Sequence, residues 1–151
     1  MKKSLIVLIV IILVIVGYWL VSPFFINKKV SESLPIQKTL NTTSPVIEIK
    51  KGQFTGFDKV HTGSGTARIV SVEGKNYIRF DEDFNVSNGP DLYVGLGENG
   101  KYIKGSELGK LKGNIGSQNY ELPLGVDPNT VKEVWVWCKA FAVPFAKAVL
   151  E

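Results

Sequence analysis

The chain has 151 residues, enough for one ordinary domain with accessory segments. Its formal net charge of +4 belongs to residues 1–50, which hold six lysines and two glutamates, whereas residues 51–151 hold 12 basic and 12 acidic side chains. The basic charge of the chain is therefore no argument for nucleic-acid binding, which needs clustered positive charge on the domain itself, and we predict no nucleic-acid partner.

An uncharged apolar run follows two lysines at the N-terminus. Residues 4–21 read SLIVLIVIILVIVGYWLV, a pattern typical of a membrane-directed segment. A helix over residues 5–21 covers about 25 Å, and continuing it to Ile26 adds about 7 Å, which reaches a hydrocarbon core of about 30 Å. We therefore predict one transmembrane helix in an anchor of residues 1–26, with membrane contact through residues 4–26. A cleaved secretory signal is the alternative, although the bulky sequence SPFFINKK follows the run where small residues would be expected.

Both alternatives export the rest of the chain. Lys2 and Lys3 on one side of the apolar run nearly balance Lys28 and Lys29 on the other, so the positive-inside rule does not decide the orientation. No folded domain precedes the run, and such N-terminal segments most often send the following chain across. We expect a single-pass protein of the cell membrane with its C-terminal domain on the extracytoplasmic side.

Residues 27–45 form a polar segment, NKKVSESLPIQKTLNTTSP, with two prolines and no aromatic side chain. Such a segment buries too little apolar surface to order itself. We predict a flexible linker with a reach of roughly 24 Å.

From residue 46 onward, short apolar or alternating runs are separated by Gly, Asn, Asp and Pro clusters. The strand candidates are VIEIK, TARIVSV, NYIRF, DLYVGL, NYELPL and VKEVWVWC, and EGKN at residues 73–76 is typical of a hairpin turn. No long window keeps a helical period. We predict an all-β domain over residues 46–151, a sandwich or small barrel of about seven to nine short, mainly antiparallel strands.

Several familiar sites are incomplete in this sequence. GSGTA and GNIGSQ lack the spacing of a nucleotide-binding loop and are expected to be turns. Asp81, Asp83 and Asn85 begin with calcium-loop spacing, but Val86 occupies the position that requires glycine. One histidine and one cysteine cannot form a structural zinc site, and no spaced nucleophile and base indicates a hydrolase or transferase. We predict no metal site, and the sequence leaves open whether the protein is an enzyme.

The only cysteine, Cys138, lies within VWVWCKAFAVPF. In a strand, its side chain shares a face with Val134 and Val136, while the tryptophans and Lys139 point the other way. A cysteine in such a strand is commonly buried core. A lone thiol in an exported domain is, however, also a candidate reactive or ligating group, and His61 is the cation or base to test beside it.

Four segments together resemble the DM13 electron-transfer domain: HTGSGTARI, FDEDFNVSNGPDLYVGL, LGKLKGNIGSQNYELP and VWVWCKAFAVPFAKAVL. The resemblance covers nearly all of residues 52–150. With its N-terminal apolar run, the chain resembles the bacterial members of this family, which are often tethered by one N-terminal helix. It implies an exported all-β domain in which Cys138 serves as a redox thiol or as ligand to a prosthetic group such as haem. His61 falls where the family often has histidine, which implies a second ligand or an activating base.

Two functional hypotheses follow. The first is a membrane-tethered redox or electron-transfer domain that uses Cys138 and acts with a redox partner protein. The alternative is a non-catalytic β module that binds a protein or small ligand through residues 81–91 and 109–119, with Cys138 as buried core.

Overall fold

The computed structural model describes residues 2–22, 25–36, 38–39, 42–43 and 45–151. One helix, α1 (Lys2–Val21), precedes the strands. The strands are β1 (Lys29–Ser31), β2 (Lys38–Thr39), β3 (Thr42–Thr43), β4 (Val46–Gly56), β5 (Gly63–Ser64), β6 (Thr66–Val72), β7 (Lys75–Phe80), β8 (Asn85–Val86), β9 (Leu92–Glu98), β10 (Lys101–Tyr102), β11 (Gly109–Lys110), β12 (Ile115–Glu121), β13 (Glu133–Cys138) and β14 (Val143–Val149).

The helix α1 does not support the predicted transmembrane helix. In the described part of the chain, no helix is both long enough and apolar enough to span a bilayer. The prediction needed helical residues as far as Ile26, but α1 ends at Val21, and the amides of Phe25 and Ile26 both donate to the Ser22 carbonyl in a turn. The remaining 5–21 stretch rises about 25 Å, short of a hydrocarbon core of about 30 Å. The predicted transmembrane helix is therefore wrong.

Twelve of the described strands form one continuous sheet. Its hydrogen-bonded path runs β10-β9-β13-β14-β4-β6-β7-β12-β8-β5, with β11 also paired to β9 and β1 to β12; β2 and β3 form a separate hairpin. The pairs are antiparallel except for β1 with β12, which is parallel. The all-β, mainly antiparallel character of the prediction is thus confirmed.

The predicted sandwich or small barrel of seven to nine strands is wrong, because the path has two unpaired ends and does not close. The reason lies in β4, which is 11 residues long. Residues 46–53 of β4 pair with β6, whereas residues 54–56 pair with β14, and a register shift between Glu48 and Lys50 bends the strand. One strand therefore joins both halves of the structure into a single sheet.

The β6–β7 hairpin follows the sequence closely. TARIVSV is β6, NYIRF lies within β7, and the two strands pair from Val72 with Lys75 back to Ala67 with Phe80. Glu73 and Gly74 form the two-residue turn with φ values of 51° and 77°. Positive φ at both central positions is the turn geometry that matches the twist of paired strands.

Strand β14 was not predicted from the sequence, although it lies inside the sheet between β13 and β4. Pro144 argues against a strand at this position in the sequence, because proline is rarely tolerated inside a sheet. In the structure Pro144 lies beside a bulge: Trp137 pairs with Pro144 and Val136 with Ala146, which leaves Phe145 as the extra residue. A bulge is one of the few places where a strand tolerates proline.

The buried side chains form one apolar cluster that draws on both halves of the sheet. Ile69 and Ile78 come from β6 and β7, and Val94 and Val136 come from β9 and β13; all four are fully buried. The inner faces of the two halves of the sheet thus pack against each other. Cys138 is part of this cluster.

Candidate functional site

Cys138 is the last residue of β13, a strand that is paired on both sides. The register of β13 sets Cys138 opposite Leu92 of β9 on one side and Val143 of β14 on the other. Val134, Val136 and Cys138 are all 0% exposed and belong to the same core cluster. The predicted alternation along β13 is confirmed.

The Cys138 thiol is free and closed off from solvent. Lys139 does not approach it: the Lys139 ammonium lies 5.1 Å from the centre of the Tyr93 ring and 3.8 Å from a carboxylate oxygen of Glu107. Attack on a disulfide, alkylation or oxidation to sulfenic acid each requires another molecule to touch the sulfur. In the folded protein, burial therefore prevents contact chemistry at Cys138.

The opposite face of β13 carries an aromatic cluster, which we define as Phe57, Tyr102, Trp135 and Trp137. The Tyr102 and Trp137 rings stack nearly parallel, with centroids 4.7 Å apart and an interplanar angle of 2°. The centroids of Trp135 and Trp137 are 6.5 Å apart, and those of Phe57 and Trp135 are 5.0 Å apart. Four neighbouring rings thus lie on the face of β13 opposite the Cys138 side chain.

Two glycines of β9 make room for this cluster. Gly95 and Gly97 alternate with Val94 and Leu96, which point to the core side. A Cβ at Gly95 would lie 2.7 Å from the Tyr102 ring, and one at Gly97 would overlap the Trp135 indole. In the sequence VGLG, Val94 and Leu96 therefore form the apolar inner face of the strand. The two glycines leave its outer face without side chains, and aromatic rings pack there.

The polar atoms of the cluster are in contrasting environments. The buried Glu133 carboxylate accepts hydrogen bonds from Trp135 Nε1 at 2.8 Å and from the Gly100 amide at 2.9 Å. The Tyr102 hydroxyl, by contrast, is buried and makes no hydrogen bond of standard geometry, although Ser106 and Glu107 lie close enough to affect its pKa. Burial, together with the negative charge of Glu107, raises the pKa of Tyr102 to about 12. Tyr102 is consequently neutral at physiological pH.

His61 lies in the loop between β4 and β5, held by Asp58. One carboxylate oxygen of Asp58 accepts from the amides of Val60 and His61, and the other lies 2.7 Å from His61 Nδ1. The hydrogen bonds from the His61 ring and backbone lower the pKa of Asp58 to about 2. With Nδ1 engaged, Nε2 is the ring nitrogen left for any outside partner.

The structure does not join His61 to Cys138 by a hydrogen bond, although both residues lie in the described part of the chain. The His61 ring packs edge-on against Phe145 at 4.6 Å, and Phe145 belongs to the core cluster that contains Cys138. The predicted chemical roles of both residues stay predictions.

The surroundings of Cys138 do not fit a haem. An iron ligand must present its sulfur to an open pocket that holds the macrocycle. Cys138 instead packs in the core with no exposed surface and with paired strands on both sides. Ligation there would require the separation of β13 from its neighbours, so we assign no step to a haem.

The acidic loop that follows β7 is held by side chains of its own domain. Asp81 accepts from Arg68 Nε at 2.7 Å, and Asp83 accepts from the amide and hydroxyl of Thr66 at 2.9 and 2.8 Å. The hydrogen bonds to these carboxylates therefore hold the loop against β6.

Sequence reasoning missed the residues that hold the N-terminal segment. Within the segment predicted to be a linker, β1 pairs with β12. Glu32 accepts from Lys112 Nζ and the Asn119 amide, each at 2.9 Å. The only hint in the sequence was the alternation in KVSES, which is too short and too polar to indicate a strand by itself.

Comparison with curated proteins and with solved structures found no match. The sequence pattern of the family described as Electron transfer DM13 matches residues 53–150, which run from the last four residues of β4 to the end of β14. The matched region contains Cys138, His61 and the entire aromatic cluster. The chain belongs to the DM13 electron-transfer family.

Proposed function

We propose that this protein is an electron-transfer domain in which Cys138 is the redox group, reached from the surface through Trp137 and Tyr102. Membership of an electron-transfer family indicates a redox-related role. The observation that carries the rest is the position of the thiol: it is fully buried, and its chain neighbour Trp137 stacks on Tyr102.

Burial limits the chemistry that Cys138 can perform. Thiol–disulfide exchange needs direct attack at sulfur, which the core prevents. Electron tunnelling needs no such contact, and tryptophan and tyrosine are the side chains that most readily pass a single electron. A one-electron role is therefore the redox role that this geometry supports best.

In this proposal a partner protein with a one-electron acceptor oxidises the domain at the aromatic cluster. The Cys138 thiol loses one electron through Trp137 and Tyr102 to that acceptor. Its proton passes to water that reaches the sulfur by local opening of the exposed turn of residues 139–142, next to the end of β13. The product is a thiyl radical, which a one-electron donor and a proton return to the thiol.

The test is rapid oxidation of the full chain with hexachloroiridate(IV), followed by freeze-quench electron paramagnetic resonance. We expect a tryptophan or tyrosine radical that decays as the hole reaches Cys138. In Cys138→Ala the aromatic radical should persist, and in Trp137→Phe oxidation of the thiol should slow. Trp19→Phe, in α1, is the matched control and should behave like the unmodified chain. Equal radical decay in Cys138→Ala and the unmodified chain would refute Cys138 as the redox group.

A binding module with Cys138 as buried core is the second candidate, favoured by the complete burial of the thiol within the apolar cluster. In that case Cys138→Ala lowers stability by about 1 kcal/mol, the typical cost of a small truncation in a core. It would leave ligand binding and radical decay unchanged.

We also propose that the domain is exported, on the basis of the two lysines and apolar run at the N-terminus. Protease treatment of intact cells tests this: an exported domain is cleaved without lysis. Cleavage only after lysis would contradict it.

A further inference from the structure

Strand β1 covers an edge of β12 that would otherwise be open. Ile115 pairs with Asn85 of β8 and also with Lys29 of β1, so β8 and β1 must lie on opposite sides of β12. The amide of Ile115 donates to the Lys28 carbonyl, and the amide of Glu32 donates to the Ser117 carbonyl. An uncovered edge of this kind is a template for another strand.

The backbone of this edge is shaped for the close approach of a strand. A Cβ at Gly113 would overlap the Lys28 carbonyl oxygen, and a Cβ at Gly116 would overlap the Val30 carbonyl oxygen. Gly116 also has a φ of +91°, which favours glycine for a separate reason. Both glycines lie in the LKGNIGSQ stretch, which the sequence alone indicated only as a turn.

A cluster of donors recognises Glu32 at this edge. Besides the bonds to its carboxylate, the Glu32 carbonyl accepts hydrogen bonds from Arg79 at 2.6 Å and from Ser117 Oγ at 3.1 Å. Burial tends to raise the pKa of Glu32, but the hydrogen bonds from Lys112 and Asn119 outweigh it and lower the pKa. The carboxylate is therefore bound in its charged form.

The segment on this edge reads like an extended peptide ligand. Val30, Glu32, Leu34 and Ile36 are half-buried, and the residues between them are exposed. Leu34 reaches a recess that Val46 and Val70 also line. Main-chain pairing combined with recesses for alternate side chains is the general mode of strand addition.

We propose that the β12 edge, with Lys112, Gly113, Gly116 and Asn119, is a peptide-binding site for extended segments of the form Val-x-Glu-x-Leu. Its resident ligand is residues 27–36 of the same chain. The same segment supplied by a second copy presents identical groups and binds in its place when the resident segment is released.

The test uses the full chain with Glu32→Lys, which sets a positive charge against Lys112 and Arg79. Amide hydrogen exchange is followed at Ile115 and Asn119, whose amides donate to Lys28 and Glu32. We expect exchange at both amides to quicken by roughly tenfold or more, since a charged hydrogen bond and a strand pairing are lost. Glu82→Lys is the matched control, since Glu82 is an exposed carboxylate on another loop, and it should leave both amides protected.

A synthetic peptide of sequence NKKVSESLPI is then added to the Glu32→Lys chain. If the β12 edge is a peptide-binding site, this peptide restores the protection of the Ile115 and Asn119 amides from exchange. The same peptide carrying Glu32→Lys should not restore it. Retained protection in the Glu32→Lys chain, or failure of the unmodified peptide to restore it, overturns the proposal. If near-ultraviolet circular dichroism shows that Glu32→Lys does not fold, the isosteric Glu32→Gln chain takes its place with the same two criteria.

Discussion

The side chains with chemical potential in this domain are each held by specific neighbours. Cys138 is enclosed by apolar side chains, whereas the carboxyl groups of Glu133 and Asp58 accept hydrogen bonds from N–H groups of nearby residues. Tyr102 is the exception among the described residues, with a buried hydroxyl that makes no hydrogen bond of standard geometry.

The Asp58–His61 contact predicts a pH dependence in the loop that carries His61. The folded pKa of Asp58 is about 2, below its ordinary value of 3.8. The stabilisation is therefore complete above about pH 4 and is lost as the pH falls through 2. Carbon-detected NMR titration of the Asp58 carboxyl measures this directly, and His61→Ala should return the pKa towards 3.8. An Asp58 pKa that does not change in His61→Ala would contradict the contact.

At the scale of elements, β9 and β13 separate two chemically different faces. Their inner faces are aliphatic and enclose Cys138, and their outer faces carry the aromatic cluster on two glycines. The separation depends on strict alternation, because a shift of one residue in register would exchange the faces.

Gly97→Ala tests the packing of rings on β9. The new methyl group would overlap the Trp135 indole, so we expect destabilisation of about 1–3 kcal/mol, the usual range for overpacking. Chemical denaturation followed by tryptophan fluorescence measures the loss, and the folded-state spectrum should shift as Trp135 moves. Gly17→Ala is the control, because nothing lies within 4 Å of a Cβ there. Equal stability of the two variants would show that Gly97 is not required for packing.

At the scale of the whole molecule, β4 makes one sheet of two halves. The β6–β7–β12 half and the β9–β13–β14 half are joined by hydrogen bonds through β4 and share one core. A fold with a continuous sheet and a common core should unfold as one unit.

A core truncation in one half should therefore be detected in the other. Ile78→Ala in β7 removes a fully buried side chain, with an expected cost of about 2–5 kcal/mol. In a Trp19→Phe background, fluorescence reports only Trp135 and Trp137 in β13, and its transition should shift together with far-ultraviolet circular dichroism. Lys75→Ala, at the exposed start of β7, should shift neither by more than about 1 kcal/mol. Separate transitions for the two probes would contradict a single cooperative unit.

The sequence by itself determined what depends on local pattern. The β6–β7 hairpin and the buried face of β13 could be predicted, because side-chain alternation and turn residues act over a few positions. The family could be predicted because its motifs can be read directly from the sequence. Tertiary structure alone decided the rest. The continuity of the sheet through β4, the central place of β14 despite Pro144, and the docking of Glu32 on Lys112 and Asn119 all depend on contacts between segments distant in sequence. Such contacts produce no periodic pattern in the sequence. Each residue of a contacting pair is an ordinary polar or apolar residue, and only the fold brings the two together.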